Sequence, residues 1–295
     1  MLKRIEPGWP RPCFKSRNFN FLDQLAPADR AKLEPHLEAM AVSRGTTLFR
    51  ASDPGEHIYF PVDSLISLEH SNQIEVALIG SEGLVGWPAL VGCESSPYHA
   101  IVRGRDGTVL RIRTDAVIAT ASATPSLAMA LSRFVNVINV QMSEAIGACA
   151  FHRIDMRVAR WLLLRHDRVS GDEILVNHDE IAKNLGARRA SITDCLHVVE
   201  GNGLVRCRRG RIWVRDRTGL EALATGCYGA AESFYRQVIG AFGKPAASAS
   251  ALALGGRRGE PASVGRGSNG SGCALPQLNP DGTPEQRKRV VPIRS

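Results

Sequence analysis

The residues with the clearest chemistry are arginines, and they gather between Asn177 and Val214. Arg188 and Arg189 stand side by side, and Arg208, Arg209 and Arg211 surround Gly210. A guanidinium is permanently charged and presents a planar fork of donors. That fork matches phosphate oxygens, or the O6 and N7 acceptors of guanine. The chemistry implied is non-covalent recognition of nucleic acid. No phosphate-binding glycine loop, G-x-S-x-G nucleophile motif or framed pair of carboxylates accompanies these residues, so an enzyme is not expected.

Positioning these arginines requires two helices and a hairpin. Asn177 is placed to cap a first helix, with Glu180 at nearly capping-box spacing. Ile181 and Leu185 share one face, Ala182 is small enough for a close helix crossing, and Gly186 permits the positive φ that ends the helix. A second helix starts near Arg188. Ile192, Leu196 and Val199 form its buried stripe with Val198 beside them, and Arg188, Arg189, Ser191, Thr193 and Asp194 take the opposite face. Gly201 and Gly203 stop it. Leu204 to Arg206 and Arg211 to Val214 then read as two short strands with a basic tip. Helix, tight turn, helix and basic hairpin is the grammar of a winged helix-turn-helix, which lays one helix in the major groove of DNA. Arg189 is the candidate for a bidentate guanine contact, and Arg188 for a base or a phosphate. Ser191 can donate to a base edge or phosphate, and Asp194 can accept from a cytosine amine or orient an arginine. His178, Arg208, Arg209 and Arg211 are phosphate candidates.

The charge distribution agrees. Of a net +8, residues 151–220 carry +5 and residues 244–295 another +5, leaving the remainder slightly negative. The seven cysteines are scattered, odd in number and without a C-x-x-C pair, which argues against a disulfide framework or a structural metal site. Cys195 reads as a small buried residue, and Cys207 as an exposed, oxidisable thiol. No apolar run approaches the ~20 residues of a membrane span, and the amino terminus lacks the apolar core of a secretory signal. A cytoplasmic protein is expected.

Upstream, residues 1–19 read as a leader. Phe21, Leu22, Leu25, Leu33 and Leu37 fit one or two short helices. From Val42 to Ile112 short β-type runs follow: Thr47 to Phe49, Ile58 to Phe60, Leu65 to Leu68, Ile74 to Ile79, His99 to Val102 and Val109 to Ile112. So many short strands suggest a barrel or roll. A long helix then covers about Pro125 to Ala150. Leu127, Leu131, Phe134, Ile138, Met142, Ala145 and Cys149 form one stripe at near-heptad spacing, which suits a dimer seam or a helix packed on its own domain. A helix from Ile154 to Arg165 leads to the arginine-rich unit. Beyond Gly243, alanine, glycine, serine and proline dominate, interrupted by basic runs such as Arg287, Lys288 and Arg289, and a disordered tail is expected.

Residues 177–214, with their H-D-E-I-A, L-G, R-R and G-L-V-R runs, resemble the carboxy-terminal DNA-binding domain of Crp/Fnr transcription regulators. V-A-L-I-G-S-E-G-L-V-G-W-P-A-L, Val76 to Leu90, resembles the sensor domain of the same family, and the resemblance covers most of residues 20–220. It implies an α+β protein: an amino-terminal β-roll of the cyclic-nucleotide-binding jelly-roll type, a long dimerisation helix and a carboxy-terminal winged helix-turn-helix. The expected domains are a leader at 1–19, the β-roll at 20–122, the dimerisation helix at 123–150, the DNA-binding domain at 151–220, a helical extension at 221–242 and a basic tail at 243–295. The expected partners are double-stranded DNA, a second copy of the chain and RNA polymerase, with no membrane. The family's dimer helix makes Leu127, Leu131, Phe134, Ile138, Met142 and Ala145 the expected interface.

Members that bind cyclic nucleotide use a glycine and a glutamate for the ribose, then an arginine and a small hydroxyl residue for the phosphate. Here Gly86 matches the glycine, but Trp87 falls at the glutamate, and Tyr98 and His99 fall at the arginine and hydroxyl. Arg103 and Arg105 lie beyond that loop. Cyclic nucleotide is therefore not expected, and Gly86, Trp87, Tyr98 and His99 either line a pocket for an aromatic or apolar effector or pack as core or dimer contacts. The amino-terminal cysteine cluster that holds iron–sulfur in some relatives is reduced to Cys13, so no cofactor is expected. In relatives an arginine, a glutamate and a second arginine read bases. Arg189 matches the first, while Ala190 and Asp194 replace the others, so the family's usual operator is not expected. The reading from another class is a protein–protein signalling module with only generic affinity for DNA.

Overall fold

The computed structural model describes residues 20–244 and the backbone of Lys3–Arg4. The expected basic tail beyond Lys244 and, apart from that dipeptide, the expected leader lie outside the described residues. In chain order the elements are β1 (Lys3–Arg4), α1 (Phe21–Gln24), α2 (Pro27–Leu33), β2 (Glu38–Val42), β3 (Thr47–Phe49), β4 (His57–Pro61), β5 (Leu65–Glu69), β6 (Glu75–Ile79), β7 (His99–Arg103), β8 (Gly107–Arg113), α3 (Thr114–Ser122), α4 (Pro125–Phe151) and α5 (Ile154–His166). There follow β9 (Glu173–Leu175), α6 (His178–Asn184), α7 (Arg189–Gly201), β10 (Val205–Arg208), β11 (Arg211–Val214), α8 (Arg217–Leu223) and α9 (Ala230–Val238).

Two antiparallel four-stranded sheets, β1-β2-β8-β4 and β3-β7-β5-β6, enclose one apolar cluster and form the β-roll. The period-2 alternation that builds them is plain in β7, where Ala100 and Val102 are buried while His99, Ile101 and Arg103 are half-exposed. The six expected strand runs correspond to β3–β8. β2 and α3 were not anticipated: β2 is alanine-rich and follows directly on helical sequence, and α3 is short with a weak apolar stripe.

α4 begins with Pro125 in its first turn, where a missing N–H costs nothing. Leu127, Leu131, Phe134 and Ile138 are almost fully buried in the same cluster as the β-roll. Phe134 meets Phe21 edge-on at 5.5 Å, and a Cβ on Gly83 would overlap its ring. Gln141 is buried too. Its amide accepts from Leu78 N at 2.8 Å and donates to Leu78 O at 3.3 Å, tying the helix to β6. The stripe expected to be the dimer seam therefore faces the chain's own core, because the two sheets leave an apolar side that this helix helps to cover. Met142 and Ala145 are half-buried, and Tyr98 Oη donates to Met142 Sδ at 3.7 Å. The free face lies two residues on, about 200° around the helix. It carries Met129, Ser132, Asn136, Asn139, Ser143 and Ile146, all exposed. α4 is also long and apolar enough to be weighed as a membrane span, with a mean hydropathy of 1.2, contrary to the sequence expectation. Its inner face is locked into the β-roll by Phe134 and Gln141.

A second apolar cluster holds the carboxy-terminal head: α5, α6, α7, α8 and the three-stranded sheet β10-β11-β9. α4 and α5 are joined by the extended residues His152 and Arg153, beside a Phe151 that is 86% exposed.

Phe134→Ala is expected to cost about 3–5 kcal/mol of unfolding free energy, because a fully buried ring leaves a cavity. Denaturant unfolding measures this. A variant of unchanged stability that loses only self-association would return Phe134 to a dimer seam.

Candidate nucleic-acid interface

α6 and α7 are built by the local signals in the sequence. Asn177 Oδ1 accepts from Glu180 N at 2.8 Å and caps α6. The reciprocal half of a capping box is not made, because the Glu180 carboxylate reaches Arg44 at 2.6 Å and lies 4.0 Å from Arg103 on the β-roll. Gly186 sits at φ +59° and lets the chain reverse; a Cβ there would press on Ile74 at 3.3 Å. Ile192, Leu196 and Val199 are fully buried in the head, with Ile181 and Ala182 opposite them. Val198 is 62% exposed, so it lies outside the buried stripe.

The outward face of α7 carries Arg188, Arg189, Ala190, Ser191, Asp194 and His197, all exposed. Arg189 Nη1 donates to Asp179 Oδ2 at 3.2 Å, a solvated pair that is easily exchanged for a phosphate or base. Thr193 is not free to read DNA. Its hydroxyl pairs with His178 Nδ1 at 2.9 Å, and both residues are half-buried where α6 crosses α7. Burial and the nearby Arg189 charge lower the His178 pKa. These two residues tie the helices together, a role invisible when each was placed by helical face alone.

In the wing, β10 and β11 pair from Val205↔Val214 to Arg208↔Arg211, and Arg209–Gly210 make the turn with Gly210 at φ +74°. Arg208 and Arg209 are exposed at the tip. Arg211 is already engaged, donating to Glu173 at 2.7 Å, and Glu173 also takes Arg105 at 2.5 Å. Arg211 and then Arg105 hold the Glu173 carboxyl below its usual range. The phosphate role expected of Arg211 therefore competes with an internal ion pair. β9 was missed in the sequence because three residues carry too little pattern. Two arginines were missed as well. Arg206 and Arg215 join Arg208, Trp213, Val214 and Asp172 around an open pocket of about 200 Å³. Arg206 and Trp213 are cross-strand partners, and the period-2 alternation of the wing was the signal that could have placed them on its outer face.

The four residues expected around an effector do not converge on a usable space. Gly86 sits at φ +97°, and a Cβ there would lie 2.6 Å from His57 O. Trp87 opens a short 3-10 turn and packs on the roll core, with its indole N–H buried and unpartnered. Tyr98 is spent on Met142, and His99 Nδ1 accepts from Ala51 N at 3.2 Å. The cavity beside Gly86, His57, Phe49 and Ser96 is about 10 Å³, room for at most one water. The two arginines nearby are committed, Arg103 to Glu69 at 2.5 Å and Arg105 to Glu173. The residues present do not fit a cyclic nucleotide. Among the described residues no group of three His, Cys, Asp or Glu side chains is placed to hold a metal ion.

Residues 156–223 match the Crp-like helix-turn-helix domain family, and residues 39–123 match the cyclic nucleotide-binding domain family. Over 206 residues the chain is 23% identical to the cyclic AMP receptor protein of Thermus thermophilus, spanning 68% of this chain and 95% of that relative. It is 24% identical to the transcriptional regulator SdrP of the same organism, spanning 63% and 96%. Among solved structures, FixK2 from Bradyrhizobium japonicum aligns with a TM-score of 0.56 at 16% identity, covering 65% of this chain and 99% of that one. A Crp/Fnr-family regulator from Thermus thermophilus aligns at 0.54 with 21% identity, covering 65% and 100%.

The structure also separates the thiols. Burial pushes both Cys195 and Cys207 up to about 11, with help from Asp155 and Glu200 respectively, so Cys207 is not the reactive wing thiol expected from sequence. Alkylation of the native protein at neutral pH, followed by peptide mass analysis, is expected to label the exposed Cys93 and Cys149 well before either. Equal labelling of Cys207 would mean that the wing opens in solution.

Proposed function

We propose that this chain, which belongs to the Crp/Fnr family of transcription regulators and carries its helix-turn-helix DNA-binding domain, binds a pseudo-palindromic operator as a homodimer and does so without cyclic nucleotide. The observation that carries the reading is the unobstructed face of α7. Arg188, Arg189, Ser191 and Asp194 are exposed on one side of a helix whose other side is locked into the head, and Arg208 and Arg209 stand at the wing tip. Arg189 reads guanine once it exchanges Asp179 for a base edge. Ala190 offers only a methyl group, which suits a thymine methyl, and Asp194 accepts from a cytosine amine. Arg208 and Arg209 hold the backbone. His178, Thr193 and Arg211 are internal braces that place these groups.

The exposed face of α4 supports pairing of two copies. Ser132, Asn136 and Ser143 bond back to carbonyls of their own helix, at 2.9, 3.2 and 2.9 Å, and so present a low, self-satisfied ridge. Met129 and Ile146 flank that ridge with apolar surface, and Phe151 ends the helix. Two heads related by a two-fold axis would meet half-sites about one helical turn apart. Independence from cyclic nucleotide rests on the filled space beside Gly86 and on the absence of both charged anchors. The reading places the protein in the cytoplasm with DNA and, as a further contact, RNA polymerase.

Selection of bound duplexes from a randomised pool is expected to return a palindrome bound at least ~10³-fold more tightly than random DNA. Sequence-blind binding that vanishes with salt would instead favour a signalling module with a basic surface. On the selected operator, Arg189→Ala should cost ~1–3 kcal/mol and relax one base position in each half-site, whereas Arg209→Ala should weaken all duplexes alike and flatten the salt dependence. Equal losses on operator and random DNA for Arg189→Ala would remove that residue from base reading.

A further inference from the structure

The chain that follows α8 leaves the head. It turns through Gly226 and Gly229, both at positive φ, and α9 packs along α4. Tyr235 and Phe242 are buried in the apolar cluster of the β-roll, not in that of the head. Tyr235 Oη donates to Glu82 O at 2.7 Å. The Glu82 carboxylate accepts from Arg168 at 2.7 Å, and the Arg168 guanidinium lies 4.9 Å over the Phe242 ring. The segment 229–244 therefore bridges head and sensor, in addition to the extended joint at His152 and Arg153 and the ion pairs between the two. A swing of the head about that joint pulls on this segment, whose far end is held to the head by Lys244 on Gly171 O and Asp172.

The start of this arm brings two carboxylates together. Gly229 N donates to Glu232 Oε2 at 3.1 Å, and the next amide, Ala230 N, donates to Glu144 Oε1 at 2.9 Å. Consecutive amides thus hold one carboxylate from α9 and one from α4 side by side. The remaining oxygens, Glu232 Oε1 and Glu144 Oε2, are both buried with no hydrogen-bond partner. Two ionised groups would leave two bare anionic oxygens out of reach of water, which is costly. A proton on Glu232 removes one of the two charges and so lowers that cost. The other groups facing Glu232 are Asp167 and Arg168 from the turn after α5 and Tyr228 from the turn before α9, while Arg160 of α5 shares the surroundings of Cys227 with Glu144. Arg168 favours the ionised form, although its Nε and Nη1 already donate to Glu82 and to Leu164 O. Burial first, and then the Glu144 charge, push the Glu232 carboxyl above its usual range.

We propose that the segment 229–244 is a proton-responsive latch between sensor and DNA-binding head, closed when the Glu232 carboxyl carries a proton and loosened when it is ionised. The proposal deepens the regulatory reading and rests on it only for what the head binds. The sign follows from linkage. The latched carboxyl keeps a proton that the released arm, with an ordinary carboxyl, gives up. As pH rises through the raised value the latch weakens, and as pH falls toward the ordinary value it tightens. Between those two values the closed-to-open ratio falls by up to about tenfold for each step of one in pH.

Hydrogen exchange on the full chain without DNA tests this, corrected for the intrinsic effect of pH on exchange. Protection of α9 amides is expected to be greater at about pH 5, just above the ordinary carboxyl range, than at about pH 8, the loss being up to about tenfold for each step of one in pH below the raised value. Glu232→Gln keeps an acceptor for Gly229 N and removes the charge, so its α9 should be well protected at both pH values. Glu144→Gln should behave alike and serves as the second variant if the first does not fold. Tyr235→Phe should lower protection at both pH values and keep the pH dependence. Lower protection in both glutamine variants would make Glu232 an ionised partner of Arg168 and overturn the latch. A wild-type arm insensitive to pH would overturn it too, leaving a buried water as the bridge. Because no DNA is present, a failed latch and a missing operator are separate results.

Discussion

Two guanidinium–carboxylate pairs, both out of reach of water, fasten the head to the sensor, and the placement of everything else follows from them. Arg165 meets Glu75 at 2.6 and 2.9 Å, and Arg168 meets Glu82 at 2.7 Å, with all four side chains nearly fully buried. Further contacts surround each pair. Ser67 donates to Glu75 at 2.6 Å, Gly80 N donates to Glu82 at 3.1 Å, and the Arg165 guanidinium stacks 3.3 Å over Trp161. Buried ion pairs add little net stability, because desolvation offsets their attraction. What they add is orientation: a head rotated by a few degrees would strand four charges. Arg165 and Arg168 lie at the end of α5, which is the floor of the head, so the direction of α6 and α7 is set by the hairpin β5–β6 and the turn that follows it.

The contacts outside these two pairs are of a different kind. Glu180 with Arg44, and Glu173 with Arg105, join partly exposed side chains and are open to salt screening. They steer α6 and β9 toward the roll without holding them. Asn184 is buried between, near Glu69 and Arg165 at 3.4 Å, and carries the link inward. α6 is thus turned with its back to the sensor, while the amino-terminal turn of α7 carries its arginines exposed, with Arg189 held only by the solvated pair to Asp179. The filled space around Gly86 belongs to the same economy of parts: Tyr98, which would be placed to close over a ligand, instead touches α4 at Met142.

How much of this was legible in the sequence depended on whether each signal was local. The helix-turn-helix was legible because Asn177, Gly186, Ile192, Leu196 and Gly210 each act within one turn of their own backbone. The β-roll was legible as a class from alternation, although β2 and β9 were too short or too alanine-rich to register. Leu127, Leu131, Phe134 and Ile138 of the α4 stripe were found correctly, but they are covered by the chain's own core, and the stripe's end at Met142, Ala145 and Cys149 is half-buried or exposed. Spacing of 4 and 3 marks a face that must be covered, but it does not distinguish a second subunit from the two sheets preceding it in the chain. Thr193, Glu180 and Arg211 were misplaced for the same reason: each sits on a polar face, yet its partner, His178, Arg44 or Glu173, lies on another element. Arg168, Glu82, Glu144 and Glu232 could not be read at all, because nothing in a sequence marks which charges fold inward.

α4 is where these separate observations meet. Its inner face carries Phe134 and Gln141, which bind it to the β-roll; its flank carries Glu144, which binds the returning arm; and its outer face carries the ridge from Met129 to Ile146. A helix of 27 residues moves as a rod over such distances, so a displacement felt at one face is felt at the others. A leucine-lined outer face would hold a partner tightly and fix the rod. The small polar ridge does the opposite. Ser132, Asn136 and Ser143 already bond back within the helix, so they add little on contact, and the apolar gain is confined to Met129 and Ile146 and to Phe151 at the joint with α5. An interface built this way would be weakest in its middle and strongest at the end nearest the head, which is where a change in the arm or the joint would be felt first.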